Sequence, residues 1–281
     1  MSNLVVTRQD FSTFADNTED ELLNTLKSFW STESIGIEDQ QNAAEPMPEH
    51  SERSIKFNES RCEVNLPLNG NEANLPTNYH LSFNCLKSLQ HRLEKEPTLA
   101  NEYDKIIQEQ LNKNVIERVP NEETTSQSGV HYLPHHPVIR KDRETTKVRI
   151  VYNGSAKQED SALSLNDCLH KGPNLIPKLL DILVRFRWHQ VALTADIEKA
   201  FLMIGIPQED RNLLRFLCLK DPNDANTEVE HYRFTRLVFG LKSSPAVLGA
   251  VFSHHLQQHK EKQPKVVELI EDSLYVDDLV A

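Results

Sequence analysis

Leu274-Tyr-Val-Asp-Asp-Leu-Val-Ala281 is the stretch whose reading decides the fold. Apolar β-formers flank two adjacent carboxylates, and Asp tolerates turns, so the pattern predicts a β-hairpin with its acids at the tip. Paired carboxylates repel unless a proton or a metal neutralises them. Hard oxygen ligands on short rigid segments suit Mg²⁺, which keeps waters and takes phosphate oxygens as its remaining ligands. Upstream, Val191-Ala-Leu-Thr-Ala-Asp-Ile-Glu-Lys-Ala-Phe201 has an apolar run of strand length that ends at Asp196. Ile197, Ala200, Phe201 and Ile204 then follow at a spacing closer to one helical face. Asp196 is thus expected where a buried strand ends, a position at which rigid scaffolds expose catalytic side chains. Beside Asp277 and Asp278 it would complete a carboxylate cluster for two Mg²⁺ ions, an arrangement that runs phosphoryl transfer, with Mn²⁺ as the alternative ion. Taken singly, each feature has a plainer meaning, since a lone Asp at a strand end is usually a cap and a lone Asp-Asp pair usually a surface turn.

Composition sets the bounds. The 281 residues are 38% hydrophobic, enough for a core in one large domain or two small ones. No run approaches the roughly 18 apolar residues of a membrane helix, and the N-terminus lacks a signal-peptide order, so an intracellular, cytoplasmic protein without a membrane partner is expected. Cys62, Cys85, Cys168 and Cys218 are scattered, with no Cys-x-x-Cys and no paired His spacing. Neither zinc nor a disulfide framework is indicated, and reduced, buried thiols are expected. The net charge of −11 is uneven: −8 over residues 1–60, −3 over 61–125, +4 over 126–190 and −4 over 191–281. A basic stretch leading into an acidic metal site suits a protein that holds nucleic-acid phosphates.

Along the chain, residues 1–60 read as an acidic, weakly structured linker with one short amphipathic helix carrying Leu22, Leu23, Leu26, Phe29 and Trp30. Residues 61–128 read as a short strand through Val64, Leu66 and Leu68, then two helices. Leu81, Cys85, Leu86, Leu89 and Leu93 share one helical face, and Tyr103, Ile107, Leu111 and Val115 share another after Pro97. From Gly129 the chain turns to short strands, with Pro137-Val-Ile-Arg140 and Lys147-Val-Arg-Ile-Val-Tyr152 forming a basic hairpin tipped by Arg140-Lys-Asp-Arg143. His135 and His136 are adjacent on a strand, point to opposite faces and cannot chelate one ion together. Pro177 to Trp188 reads as an amphipathic helix bearing Lys178, Arg185 and Arg187. Ser244 as cap, Pro245 in the first turn, and Val247, Leu248, Val251, Phe252 and Leu256 on one side predict a further helix.

Tyr275-Val-Asp-Asp278, preceded by Ala195-Asp-Ile-Glu-Lys-Ala-Phe201 and Phe239-Gly-Leu-Lys-Ser-Ser-Pro245, resembles the palm of a retroelement reverse transcriptase in order, spacing and residue type. With Tyr132-Leu-Pro-His-His-Pro137, Ser164-Leu-Asn-Asp167 and Tyr232-Arg-Phe-Thr-Arg236 the set resembles the BEL/Pao retrotransposon family. The resemblance covers roughly residues 22–281 and implies an α+β fold, fingers and palm over 129–281 with an antiparallel palm sheet and flanking helices. It implies RNA-directed DNA synthesis from dNTPs on an RNA or DNA template-primer, with Asp196, Asp277 and Asp278 as catalytic metal ligands. It gives Lys147 and Arg149 a clamp on the triphosphate, chemically apt because Arg offers a planar fork and Lys a movable charge. Phe201 takes the position of an aromatic gate against the ribose 2′-hydroxyl, Phe239, Gly240 and Lys242 support the nucleotide, and Pro245, Tyr275 and Val276 lie near template and primer. Phe239 departs from the Gln common in retroviral enzymes, and a core Phe is the plainer reading of Phe201. The family places a protease before such a segment and a thumb, connection and RNase H after it. On that basis three residues after Asp278 are too few for a full return strand, and residues 1–281 alone are expected to bind template-primer weakly and to synthesise little DNA. The alternative is a decayed or domesticated element fragment that at most binds nucleic acid. The sequence leaves oligomeric state open.

Overall fold

Helical apolar spacing and strand alternation account for several of the elements found among the described residues. A computed structural model describes residues 54–58, 61–124, 129–139, 148–173, 175, 177–188, 191–222, 224 and 227–281. The helix expected over Leu22–Trp30 and the basic tip from Arg140 to Lys147 lie outside them. Strand β1 (Lys56–Asn58) pairs antiparallel with β2 (Arg61–Glu63), across the boundary expected at residue 60. Val64 to Leu68 then runs extended: the Val64 amide donates to the Gly205 carbonyl at 3.0 Å, and Leu68 bridges Leu169. Helix α1 (Tyr79–Lys95) buries Leu86, Leu89 and Leu93, while Leu81 and Cys85 stay half-buried at the edge of its stripe. Helix α2 (Pro97–Asn112) starts on a proline whose missing N–H needs no partner there, and buries Leu99, Ala100, Tyr103 and Ile107.

Next come β3 (Ile116–Arg118), α3 (Asn121–Thr124) and the hairpin of β4 (His135–Ile139) with β5 (Val148–Tyr152), in register from His135 opposite Tyr152 to Ile139 opposite Val148. The opposite-face rule holds at its start, since His135 is buried and His136 exposed. Helix α4 (Leu179–Phe186) buries only Ile182. Strand β6 (Thr194–Asp196) is followed by β7 (Arg215–Leu219) and β8 (Val229–Phe234). Helices α5 (Ser244–His259) and α6 (Pro264–Ser273) precede β9 (Leu274–Tyr275) and β10 (Asp278–Val280). The fold is α+β. Its ladders are antiparallel, in two three-stranded sheets ordered β3-β8-β7 and β6-β10-β9 and in two hairpins.

The core is centred on β7, all five of whose residues are buried. Phe216 stacks on Tyr232 and meets Tyr152, Phe234 and His135 edge-on or tilted. Such aromatic pairs add roughly 0.5–1.5 kcal/mol beyond their area. Arg215 and Arg233 are also buried, and each is tied down: Arg233 reaches Glu117 and Glu123 at 2.6 Å, and Arg215 reaches Asn212 at 2.9 Å and the Glu123 carbonyl at 3.0 Å. A buried charge is tolerated only with such partners, so β3, α3, β7 and β8 are fixed to one another by ions as well as by rings.

Two expectations are corrected. Strand β6 is exposed at all three residues rather than buried, and it lies at the edge of a three-stranded sheet. Ser244 does not cap α5: Ser243 holds the cap position without a side-chain bond, and the Ser244 hydroxyl, one residue inside, donates to the Val238 carbonyl at 2.7 Å. The cysteines are free, with Cys168 and Cys218 buried and Cys62 and Cys85 half-buried. No helix among the described residues is long and apolar enough to cross a membrane.

Candidate active site

The hairpin forms around a tighter turn than expected. Asp278 pairs with Tyr275, which closes the loop on Val276 and Asp277 alone, so the tip carries one acid and Asp278 opens the return strand. Two-residue hairpin loops favour positive φ and hence Gly or Asn, yet Val276 sits at φ 59. A β-branched residue there is strained by on the order of 1–3 kcal/mol. The return strand is also better held than three residues suggest, because β10 is the middle strand of its sheet. Asp278 lies opposite Asp196, Leu279 opposite Ala195 and Val280 opposite Thr194. Leu193 and Ala281 exchange two backbone bonds beyond, and the Ile197 amide donates to the Asp277 carbonyl at 2.9 Å.

Three carboxylates are thereby gathered at one sheet end. Like charges directly opposite on a ladder are destabilising. Burial pushes the Asp277 carboxyl above the ordinary Asp value, and the charges of Asp278 and Asp196 push the same way against a bond from its own backbone. Lys199, three residues after Asp196, does not relieve this, since it pairs with Glu109 and Glu198. Among the described residues no group of three or more His, Cys, Asp or Glu side chains stands close enough to hold a metal ion. The three acids therefore converge by backbone register without closing into a ligand set, although an all-carboxylate donor set is of the kind hard divalent cations take.

A second group of expected residues meets on the loop before α5. The rings of Phe201 and Phe239 are 4.5 Å apart at 60°. Phe201 is buried and Phe239 is 59% exposed, so Phe239 forms the outer layer over Phe201. Gly240 has φ +95, and a Cβ there would lie 2.4 Å from the Tyr152 carbonyl oxygen, so only glycine lets the loop rest on the end of β5. Asn166 fastens the same junction. Its amide nitrogen donates to the Gly240 carbonyl at 3.0 Å and to Ser155 Oγ at 2.7 Å, and its oxygen accepts from the Lys242 amide at 2.9 Å.

Asn166 is held by a capping box in which Ser164 and Asp167 bond each other's backbone amides. Lys157 at 2.8 Å, with help from Ser164, holds the Asp167 carboxyl down at about 2. The Ser164–Asp167 stretch was legible as a motif of the resemblance, but not the role of Asn166; the three-residue Ser-to-Asp spacing around it was the available signal. Arg149 is exposed on β5, three residues before the strand end that Gly240 meets, and Lys147 lies outside the described residues. Lys242 is exposed beside Asn166, and Tyr275 is half-buried on β9. Pro245 and Val276 come together in a cleft of about 220 Å³ that Leu175, Leu248, Phe252 and Leu274 also line. The chain matches no protein-family model and no curated protein.

Proposed function

We propose that residues 129–281 are the fingers and palm of an RNA-directed DNA polymerase of the BEL/Pao retrotransposon type, which extends a primer 3′-hydroxyl with dNTPs on an RNA or DNA template. The observation that carries this reading is register: Asp278 opposite Asp196, with Asp277 on the intervening two-residue turn. Asp196 and Asp277 would hold two Mg²⁺, or Mn²⁺, with Asp278 supporting, and when bound these ions supply charge neutralisation at the triphosphate and acidify the attacking hydroxyl. Burial is the main cause of the raised Asp277 pKa, and the added repulsion from Asp278 and Asp196 is negative charge that such ions would relieve. Exposed Arg149 and Lys242 flank the Gly240 junction and suit the triphosphate, with Lys147 as partner of Arg149. The Phe201–Phe239 pair would offer the sugar an aromatic wall, Phe201 excluding the 2′-hydroxyl.

Primer extension tests the reading, run on residues 1–281 and on a chimera that adds a reverse-transcriptase thumb after Ala281. Mg²⁺-dependent synthesis by the chimera, cut by orders of magnitude in Asp277→Asn while primer binding survives, is the expected result. Synthesis that survives Asp277→Asn would contradict it, and silence from both proteins would return the chain to the non-catalytic alternative.

A further inference from the structure

On the C-terminal half of α5, His255 and His259 stand one turn apart on an exposed surface. Residues at this spacing share a helical face. Their ring centroids are 4.8 Å apart and the planes are tilted by 58°, so the rings approach without stacking. Two imidazoles that share one ion at metal–nitrogen distances of about 2.1 Å, with an angle at the metal between square and tetrahedral, have centroids roughly 4.5–5.2 Å apart. The observed separation lies inside that window. His254 turns elsewhere and bonds Gln258, its own neighbour one turn on, at 3.0 Å. The expectation that the chain has no paired His spacing is therefore corrected: the pair lies at i and i+4 on a helix, away in sequence from every cysteine.

We propose that His255 and His259 form a two-histidine clamp for a borderline divalent transition ion, Zn²⁺, Ni²⁺ or Cu²⁺, whose remaining positions stay open to water or to a ligand from another molecule. Neutral imidazole suits these ions and does not suit Mg²⁺, which takes oxygen ligands. The clamp is thus chemically distinct from the aspartate hairpin and independent of the reading given to it. Bound metal would tie together the last two turns of α5, where the chain leaves the helix towards α6.

Isothermal titration of the chain with Zn²⁺, in a non-coordinating buffer with Mg²⁺ in large excess to occupy carboxylates, tests this. The parent should bind one equivalent saturably, and His255→Ala or His259→Ala should each weaken that binding by on the order of tenfold or more, since loss of even an outer-shell partner of a metal ligand costs about that much. His254→Ala should bind as the parent does. Both substituted positions are solvent-facing, so the variants should keep the parent's circular dichroism. Hydrogen exchange gives a second readout: Zn²⁺ should slow exchange over residues 255–262 in the parent and not in His259→Ala. No saturable binding by the parent, binding unmoved by His255→Ala and His259→Ala, or an equal loss in His254→Ala would each overturn the proposal.

Discussion

Gly240→Ala, compared with Gly70→Ala, measures how closely the loop before α5 is pressed against β5. Both glycines have left-handed φ, +95 and +88, so alanine at either costs on the order of 1–2 kcal/mol in backbone strain. They differ in their surroundings. A Cβ on Gly70 meets nothing within 4 Å, whereas one on Gly240 would sit 2.4 Å from the Tyr152 carbonyl oxygen. Relief requires the loop to lift, which breaks the bonds that Asn166 makes to the Gly240 carbonyl and the Lys242 amide. At about 1 kcal/mol each these add about 2 kcal/mol, giving about 3–4 kcal/mol for Gly240→Ala against about 1–2 for Gly70→Ala. For a chain of this size that difference is a gap in Tm of roughly 4–8 °C. Urea unfolding and thermal melts of both variants read it directly. Equal destabilisation by the two substitutions would refute the close approach and, with it, the anchoring of this loop to β5.

Asn166→Ala should lower stability by about 1–2 kcal/mol in urea unfolding, at the low end for three lost bonds because the site is exposed, and should raise KM for dNTP more than it lowers kcat if the loop supports a nucleotide. Burial pulls His131 and His135 down to about 4, in His131 against a bond to the Pro76 carbonyl and in His135 with help from His136. Both stay neutral when folded while the unfolded chain takes up protons below about pH 6.5. Stability should therefore be full above that pH and fall as pH drops towards 4, by up to about 3 kcal/mol per histidine, and urea unfolding at pH 7.5 and 5.5 should already differ. Phe201→Val should raise the ratio of kcat/KM for ribonucleotide over deoxynucleotide, with an accompanying cavity cost of about 1–3 kcal/mol because Phe201 is buried in the core. An unchanged ratio would leave Phe201 a packing residue only.

What the sequence made legible was local. Helices α1, α2 and α5 and the β4-β5 hairpin follow from apolar spacing and proline placement, and their ends fall within a few residues of expectation. Strand β7 went unread because a run such as Arg215-Phe-Leu-Cys-Leu219, buried on both faces, lacks the alternation that marks a half-buried strand. Helix α6 was also unread, although Pro264 opens it and Val267 is buried one turn on; four charged residues among its ten dilute the pattern. At the site, residue types named Asp196, Asp277 and Asp278, but the exact-opposite pairing of Asp196 with Asp278 is a non-local fact of register that no window of sequence contains. Asn166 was invisible for the same reason, since its partners lie 11 and more than 70 residues away.

Whether the aspartate hairpin takes a divalent ion is the most direct question, and Mn²⁺ can be followed by the loss of its free-ion electron paramagnetic resonance signal as the protein is titrated. The parent and His255→Ala should bind Mn²⁺ saturably and alike, while Asp196→Asn and Asp277→Asn should weaken that binding by at least about tenfold, each having lost a charged oxygen ligand. Equal Mn²⁺ binding by the parent and Asp277→Asn would contradict the assignment of these carboxylates to a metal-dependent polymerase centre.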